Sequence, residues 1–334
     1  MRAHSIKRRI LSLFCLVLWA GGSASVQAQN PGEVRIGHNR AWGNPALLIG
    51  ITQGHFEKAG VKVVERSFNN PADIVQAIAT GDLDAGVSPS GVLFTAIQRG
   101  VKISAVALAQ GSHNPPVSYV VRTDSGIDKV GDLRGKTLGI AGFGGTGDLY
   151  LRYWITKAGI NPKSDVKITF VPFHLTLPAI VNKQIDIGLI DSVLAVKAQR
   201  QHPGQTKVLF DYVDVTKDAI GNANTNALLL VFGGAFVERD RQTAVRFLEG
   251  YLRAIQSIHA DPKKALSDWA SASKEDAIRA LTAPVTLPRD GKVYLDAFKF
   301  EADLALKFGY LKQPIDVRTA VDNSLIEEAA ARLK

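Results

Sequence analysis

Hydrophobic positions along the chain follow two spacings, one typical of β-strands and one typical of amphipathic helices. Residues 33–38 (EVRIGH) alternate between apolar and polar positions and predict a first strand. Residues 71–80 (PADIVQAIAT) have helical spacing, with proline at the front and Gly81 after the end. Strands that alternate with helices of ~10–15 residues indicate βαβ units and a parallel sheet. The pattern therefore predicts an α/β protein.

The alternation occurs in two series, followed by a helical segment. The first series has predicted strands at 33–38, 61–66, 83–88 and 102–109, and predicted helices at 46–58, 71–80 and 91–98. The second has predicted strands at 119–122, 138–141, 166–171, 185–190 and 207–212, and predicted helices at 148–158, 175–182 and 192–199. A strand at 226–231 precedes predicted helices at 241–259, 262–271, 274–281, 292–308 and 324–333.

This order of elements predicts two lobes joined by two chain crossings. The C-terminal helices must bury an apolar face, and the first series is the natural base for them. We therefore expect lobe 1 to comprise residues 29–115 and 226–334, and lobe 2 to comprise residues 116–225. Two crossings would form a hinge and place a cleft between the lobes.

The first 28 residues have the layout of a secretory signal peptide. Lys7, Arg8 and Arg9 precede an apolar run at 10–20, and Ala28 offers a cleavage site. The run is shorter than the ~20 residues that span a bilayer as a helix. Cys15, the only cysteine of the chain, lies inside this leader and lacks the context of a lipid anchor. We expect a mature protein that is secreted and folds without disulfides.

Charge changes this picture little. The 334-residue chain has a formal charge of +9, but the leader holds four of its 40 basic residues and no acidic ones. The remainder carries +5, from 36 basic and 31 acidic residues. Its Lys and Arg residues are scattered, which argues against nucleic acid as a partner. A mildly basic surface is compatible with an anionic ligand.

One strand and its following loop occur twice, 102 positions apart. When Asp84 is aligned with Asp186, Gly86 meets Gly188 and Ser90 meets Ser192. Both loops, 88–90 (SPS) and 190–192 (IDS), lie at the carboxyl end of a predicted strand, the edge where open α/β sheets bind ligands. The two loops could approach one ligand from opposite walls of the cleft. Alternatively, the two serines are ordinary helix N-caps.

Other polar and aromatic residues follow the predicted strands. His38, Arg40 and Trp42 lie after the first strand, where Arg40 could pair with a carboxylate, sulfonate or phosphate. A surface arginine is an equal alternative for Arg40. His174 and Asn226 also follow or begin strands, although histidine and asparagine are common in caps and turns.

The segment 142–147 (GFGGTG) is rich in glycine but matches neither GxGxxG nor a P-loop. Its backbone could approach a ligand closely, and Thr146 adds a hydroxyl group beside helix N–H groups. Asp148 disfavours a bound anion there, or it accepts a hydrogen bond from the ligand. The candidate ligand-binding residues are His38, Arg40, Trp42, Ser88, Pro89, Ser90, Gly144, Gly145, Thr146, His174, Asp191, Ser192 and Asn226.

Catalytic motifs are scarce. The chain has no HExxH or GxSxG motif, and its histidines are not paired at metal-ligand spacing. Ser, Thr, Asn, Gly, Trp and Arg suit binding by hydrogen bonds and stacking. We therefore expect no catalytic residue, cofactor or metal, and a chain that is not an enzyme.

Several segments resemble one family of transport proteins. They are 34–42 (VRIGHNRAW), 47–65 (LLIGITQGHFEKAGVKVVE), 74–87, 131–162 and 179–190, taken together with the leader. They resemble the periplasmic substrate-binding proteins of ABC importers in the nitrate/sulfonate/taurine group, which includes pyrimidine-precursor binders. The resemblance runs from about Val34 to the C-terminus. It implies a type II periplasmic-binding-protein fold and ligand binding at the loops matching 88–90, 144–146 and 191–192.

The resemblance favours a monomeric solute-binding protein that captures a small organic anion by hinge closure. Its partner would be an ABC permease with its ATPase. An alternative is a pyrimidine or thiamine-precursor binding protein, or a pyrimidine-metabolism enzyme on the same fold. Residues 190–193 (IDSV) lack the aromatic or acidic pattern of many family members, which weakens the expectation of sulfonate or nitrate.

Overall fold

The computed structural model describes residues 32–39, 44–111, 117–281 and 287–334, all within one unit of the chain. The first series contains β1 (Gly32–His38), α1 (Pro45–Thr52), α2 (His55–Lys58), β2 (Val61–Ser67), α3 (Pro71–Ala79), β3 (Ala85–Ser88), α4 (Ser90–Gln98) and β4 (Ile103–Gln110). The second contains β5 (Ser118–Arg122), β6 (Thr137–Ile140), α5 (Thr146–Lys157), β7 (Lys167–Phe170), α6 (Thr176–Val181), β8 (Ile187–Ile190), α7 (Ser192–Gln201), β9 (Thr206–Asp211) and α8 (Tyr212–Ile220).

The remaining elements are β10 (Leu228–Gly233), α9 (Gly234–Arg239), α10 (Arg241–Ala260), α11 (Pro262–Ser273), α12 (Leu295–Lys307), α13 (Val317–Ala320) and α14 (Ser324–Arg332). Helix α10 places its apolar positions on one buried face, with charged residues opposite, as an amphipathic helix does. It packs on α1, α2 and α14, beside the first sheet. The C-terminal helices thus cover elements of the first series.

Two five-stranded sheets form the framework. Their strand orders are β2-β1-β3-β10-β4 and β7-β6-β8-β5-β9. Three neighbouring strands in each sheet are parallel, but β10 and β5 run antiparallel to both of their neighbours. The predicted parallel arrangement therefore holds for β2, β1 and β3 and for β7, β6 and β8, and both sheets are mixed. Strands β5 and β10 are each the first strand after the chain passes from one sheet to the other.

The 102-residue repeat is an architectural repeat. The Oδ2 atom of Asp84 accepts the backbone N–H of Arg35 on β1 at 2.9 Å. Asp186 does the same for Thr137 on β6 at 2.8 Å, and Thr137 lies 102 positions after Arg35. Each aspartate ties the turn before one strand to its parallel neighbour. Asp84 also pairs with Arg239, at 2.7 Å.

The repeated glycines allow a helix to lie close to a strand. A Cβ atom at Gly86 would lie 2.4 Å from the side chain of Ile74, and one at Gly188 would lie 2.5 Å from that of Thr176. Ile74 and Thr176 are again 102 positions apart, on α3 and α6. A side chain at either glycine would therefore push the helix off its sheet.

Two predicted helices differ from the structure, and α8, α9 and α13 were not predicted. The helix expected over 46–58 is two helices, because Gly54 adopts a left-handed conformation with φ 67° between them. The helix expected over 274–281 is a 3-10 turn, Asp276–Ala280. Asp211 starts α8 through a capping box with Asp214.

Candidate functional site

A cavity lies among the carboxyl ends of strands from both sheets. It contains about 710 Å³ of space between protein atoms, including its open mouth. Most of its wall is apolar. Its lining residues are Pro71, Pro89, Val92, Gln110, Val117, Ala141, Gly142, Phe143, Gly145, Thr146, Gly147, Asp148, Phe173, Leu189, Asp191, Tyr212, Ala227 and Leu228.

Three helix N-caps contribute to this wall. Pro89 caps α4, Gly145 caps α5 and Asp191 caps α7, and all three line the cavity. Pro89 and Asp191 belong to the two repeated loops, so these loops do face one cavity. A helix N-terminus carries unpaired N–H groups and a partial positive charge. The cavity is therefore bordered by positive ends of three helices, although its walls are largely apolar.

The glycine-rich loop is held by a buried carboxylate. Asp148 Oδ2 accepts the N–H of Gly144 at 2.9 Å, and Oδ1 accepts Arg152 Nε at 2.7 Å. Tyr310, which follows α12, donates its hydroxyl group to the same carboxylate. Arg152 thus balances the charge of the Asp148 carboxylate, and the carboxylate positions the glycine-rich loop through the N–H of Gly144.

Asp191 is the other acidic group in the wall. Its side chain accepts the N–H of Leu194 at 2.9 Å, and the residue is only 4% exposed. Burial raises the pKa of Asp191 to about 6, although hydrogen bonds from the first turn of α7 act in the opposite direction. The carboxyl group therefore changes its charge in mildly acidic solution.

A buried polar cluster lies behind the cavity. Ser90 Oγ and Thr146 Oγ1 are 3.2 Å apart and join α4 to α5. Tyr150 donates its hydroxyl group to Glu301 Oε1 at 2.9 Å. Asn226 exchanges two hydrogen bonds with the backbone of Tyr294, at 2.9 and 3.2 Å. These contacts connect elements that follow different sheets.

The predicted ligand-binding residues fall into three groups. Pro89, Gly145, Thr146 and Asp191 line the cavity. Arg40 and Trp42 lie outside the described residues, as does the leader. The others are described but do not line the cavity: His38, Ser88, Ser90, Gly144, His174, Ser192 and Asn226.

The predicted residues that do not line the cavity are mostly buried. His38 is buried at the end of β1, where Nε2 lies 3.1 Å from Glu65 Oε2. Ser88, Ser90, Ser192 and Asn226 are buried next to residues of the wall. His174 is exposed, whereas Phe173 before it lines the cavity.

Sequence reasoning missed most of the apolar wall. Phe143, Leu189 and Leu228 are ordinary strand-end or loop residues in the sequence, and Tyr212 begins α8, which was not predicted. One signal was available, because apolar residues at the carboxyl ends of strands face the same edge as the repeated loops.

The described lining contains two acidic side chains and no basic one. Within the described ranges, no helix combines the length and apolar character needed to cross a membrane. No group of three or more His, Cys, Asp or Glu side chains in those ranges is arranged to hold a metal ion.

Two mixed α/β sheets with a cavity at their strand ends define the periplasmic-binding-protein fold. The structure is similar to the aliphatic sulphonate binding protein SsuA from Escherichia coli, with a TM-score of 0.69 and 17% identity over 87% of this chain and 92% of that one. It is also similar to the nitrate-binding protein NrtA from Synechocystis PCC 6803, with a TM-score of 0.74 and 13% identity over 90% and 89% of the two chains. The predicted fold is confirmed.

The family profile described as NMT1/THI5 like matches residues 45–265, and the chain belongs to this family. A curated relative is the 4-amino-5-hydroxymethyl-2-methylpyrimidine phosphate synthase of Schizosaccharomyces pombe, 22% identical over 233 residues. The match covers 69% of this chain and 66% of the synthase, so the chain spans just under two thirds of that relative's length. A synthase of the same name from Aspergillus parasiticus is 21% identical, over 67% of this chain and 65% of its own length.

These relatives contradict the expectation that the chain is not an enzyme, because curated proteins matching it are named as synthases. The expectation rested on missing motifs. The absence of HExxH and GxSxG excludes only two catalytic arrangements, and side chains suited to binding also serve catalysis.

Proposed function

We propose that this chain is a periplasmic solute-binding protein that captures a small organic compound, in the first instance an organic anion such as a sulfonate or carboxylate. It would deliver this compound to an ABC permease and its ATPase. The observation that carries the proposal is the cavity at the strand ends, bordered by the N-caps of α4, α5 and α7. The similarity to the SsuA and NrtA structures supports it.

The proposed mechanism is hinge closure. The chain passes between the sheets after β4 and again before β10, and we propose lobes of residues 29–115 with 226–334, and of 116–225. The contact between Ser90 and Thr146 would belong to the closed form. Export through a leader cleaved near Ala28, a monomeric state and docking of the closed form on the permease complete the proposal.

The described wall favours an organic compound over a small inorganic anion. An apolar lining stabilises a hydrocarbon part, and the helix N-termini favour a negatively charged group. Asp191 opposes an anion when it is ionised. A bound anion should therefore favour the neutral form of Asp191, and its affinity should rise as the pH falls through about 6.

The first experiment identifies the ligand. Protein purified from cells without refolding is denatured, and the released compounds are identified by mass spectrometry. Each compound is then tested for its effect on the melting temperature. At ~100 times Kd, a ligand stabilises the native state by about 2.7 kcal/mol, which for a chain of this size raises Tm by about 5 °C. Absence of a released compound and of any shift with sulfonates, carboxylates, nitrate and pyrimidines would refute the proposal.

The pH dependence of binding then tests the charge of the ligand. For an anion, the unaltered protein should bind more tightly at pH 5 than at pH 7.5, and Asp191→Asn should remove most of that difference. Asparagine keeps the N-cap acceptor without the charge. If a ligand that keeps its own protonation state between pH 5 and 7.5 binds more weakly at pH 5, the ligand is cationic or donates a hydrogen bond to Asp191.

A second candidate function is synthesis of a pyrimidine phosphate. Family membership and the names of the curated relatives favour it. The test is growth of a strain that requires 4-amino-5-hydroxymethyl-2-methylpyrimidine, after expression of residues 29–334 in its cytoplasm. Growth without the added pyrimidine supports the enzyme, whereas continued dependence on it, with soluble protein present, argues against this activity.

A further inference from the structure

Glu301 is a fully buried carboxyl group behind the cavity wall. It lies on α12 with 0% of the residue exposed. Tyr150 donates to its Oε1 atom at 2.9 Å, and Oε2 completes no hydrogen bond of normal geometry with the described residues. The Ser90 side chain and the N–H of Asn226 are nevertheless close enough to favour the ionised form. No cation is among the groups that stabilise it.

The position of Glu301 links the two halves of the fold. Helix α12 packs against α4, which follows the first sheet, and against α5 and α8, which belong to the second series. The groups around the carboxyl come from three parts of the chain: Ser90 begins α4, Tyr150 lies on α5 and Asn226 precedes β10. Thr146 on α5 contacts Ser90 and lines the cavity.

Close packing joins the same elements. A Cβ atom added to Gly91 on α4 would lie 1.6 Å from the carbonyl oxygen of Gly144. The rings of Tyr150 and Tyr212 meet edge to face at 4.9 Å, and Tyr212 lines the cavity. Any separation of α4 from α5 must therefore disturb both the Glu301 environment and the cavity wall.

The titratable groups that face Glu301 are the phenols of Tyr150 and Tyr212, both buried with pKa values held well above the usual range by burial. Helix α4 has no titratable side chain. The charged groups of α5, α8, α12 and α13 are exposed or are paired elsewhere, as in Asp148–Arg152, Lys157–Asp218, Lys299–Asp303 and Arg318–Asp316.

Burial raises the pKa of Glu301 to about 8. Near pH 7 the carboxyl is therefore mainly neutral and can donate a hydrogen bond as well as accept one. Above pH 8 the same position holds a charge without a cation. An unpaired buried charge is costly, and separation of the packed elements would admit water to it.

We infer that Glu301 is a proton-operated latch: its neutral carboxyl group holds α4, α5 and the chain before β10 together in the closed form, and loss of the proton separates the lobes. Ligand release by this route rests on the proposed function. The movement itself can be measured without a ligand, so failure of the latch and failure of solute binding are distinguishable.

The experiment measures the distance between the lobes by electron paramagnetic resonance. After removal of residues 1–28 the chain has no cysteine, so Gln76→Cys on α3 and Asn182→Cys after α6 give two unique label sites, both exposed. Between pH 4.5 and 9.5, we expect the distances of the ligand-free protein to lengthen as the pH rises and to stop changing near pH 8, because a hydrated Glu301 in the open form has its ordinary pKa and the closed form loses stability only between that value and about 8. Glu301→Gln, which keeps the shape without the charge, should retain the short distances throughout.

Two further variants sharpen the result. Asp303→Asn removes an exposed carboxylate from the same helix and should behave as the unaltered chain. Tyr150→Phe removes a donor that favours the ionised form, so the pKa of Glu301 in the closed form rises and the pH above which the distances stop changing should move upward. A merely structural role for Tyr150 would shift the whole curve without moving this limit. Distances that do not depend on pH, or an unchanged pH dependence in Glu301→Gln, would overturn the inference. If Glu301→Gln does not fold, the direction of the Tyr150→Phe shift decides.

Discussion

Gly91→Ala is the substitution for which the structure gives the clearest consequence. The added Cβ atom would lie 1.6 Å from the oxygen and 2.4 Å from the carbon of the Gly144 carbonyl, and 3.0 Å from Gly145 Cα. Ordinary contact begins near 3.4 Å, so α4 and the glycine-rich loop must separate by about 1.8 Å. All three atoms belong to the backbone, so a change of side-chain rotamer cannot relieve the clash.

This overlap should destabilise the closed form relative to the open form. Overpacking of a packed contact costs about 1–3 kcal/mol. Opening at the hinge should need less free energy than distortion of either lobe, because opening removes the contact between α4 and the loop altogether. If closure is required for tight binding, ligand affinity should fall about 5- to 150-fold, with little change in the stability of each lobe.

The assay combines ligand affinity by calorimetry with the interlobe distance between labels at positions 76 and 182. We expect weaker binding and longer distances for Gly91→Ala. Gly131→Ala is the matched control, because a Cβ atom there meets nothing within 4 Å. Unchanged affinity together with unchanged distances would refute the reasoning, since it would mean that α4 and the loop accommodate the methyl group locally.

Three other substitutions have a defined direction. Burial raises the pKa of Asp191 to about 6, so the native state holds this proton more tightly than the unfolded chain does. The native state therefore loses stability as the pH rises from about 4 to 6. Asp191→Asn should remove this pH dependence and raise the free energy of unfolding in urea by about 2–3 kcal/mol at pH 7. Burial would raise the pKa of Asp84, but hydrogen bonds from Arg35 and Arg239 overcome this effect and lower the pKa to about 2. The stabilisation by ionised Asp84 is therefore present above pH 4 and lost towards pH 2. Asp84→Asn should lower the free energy of unfolding by about 1–2 kcal/mol at pH 7 and weaken its dependence on pH between 4 and 2. Asp148→Ala should cost about 3–5 kcal/mol, because it leaves the guanidinium of Arg152, whose side chain is only 12% exposed, without its carboxylate. Faster hydrogen exchange of the Gly144 amide should report the released loop.

Local signals in the sequence were sufficient for most strands and helices. Alternating apolar positions identified β1 and β2 to within one residue, and proline and glycine marked both ends of α3. Gly54 shows where such signals fail. A glycine inside a helical pattern fits either a helix interior or a left-handed break, and only the packing of α2 on α10 selects the break.

The direction of a strand is not a local property. The residues of β5 (SYVVR) and β10 (LLLVFG) carry no local signal of direction, yet both strands run antiparallel to their neighbours. Each is the first strand after the chain passes between the sheets, so its direction depends on the tertiary structure. The 102-residue repeat, by contrast, was visible in the sequence because two copies of one strand–helix contact need the same glycine and aspartate.

The sequence located part of the cavity wall, and the tertiary structure supplied the rest. The repeat located Pro89 and Asp191, because loops at the carboxyl ends of strands meet at one edge. Pro71, Gln110 and Leu228 complete the wall from distant parts of the chain, and nothing local distinguishes them from other strand-end residues.

The sequence by itself determined the α/β class, the two series of elements, the repeated loops and the leader-like N-terminus, since each depends on neighbouring residues. The tertiary structure alone decided the direction of two strands, the apolar character of the cavity and the environment of Glu301. In the sequence, Glu301 is one acidic residue in an amphipathic helix. It becomes a neutral group near pH 7 because α4, α5 and α8 exclude water from it, and exclusion of water depends on distant packing.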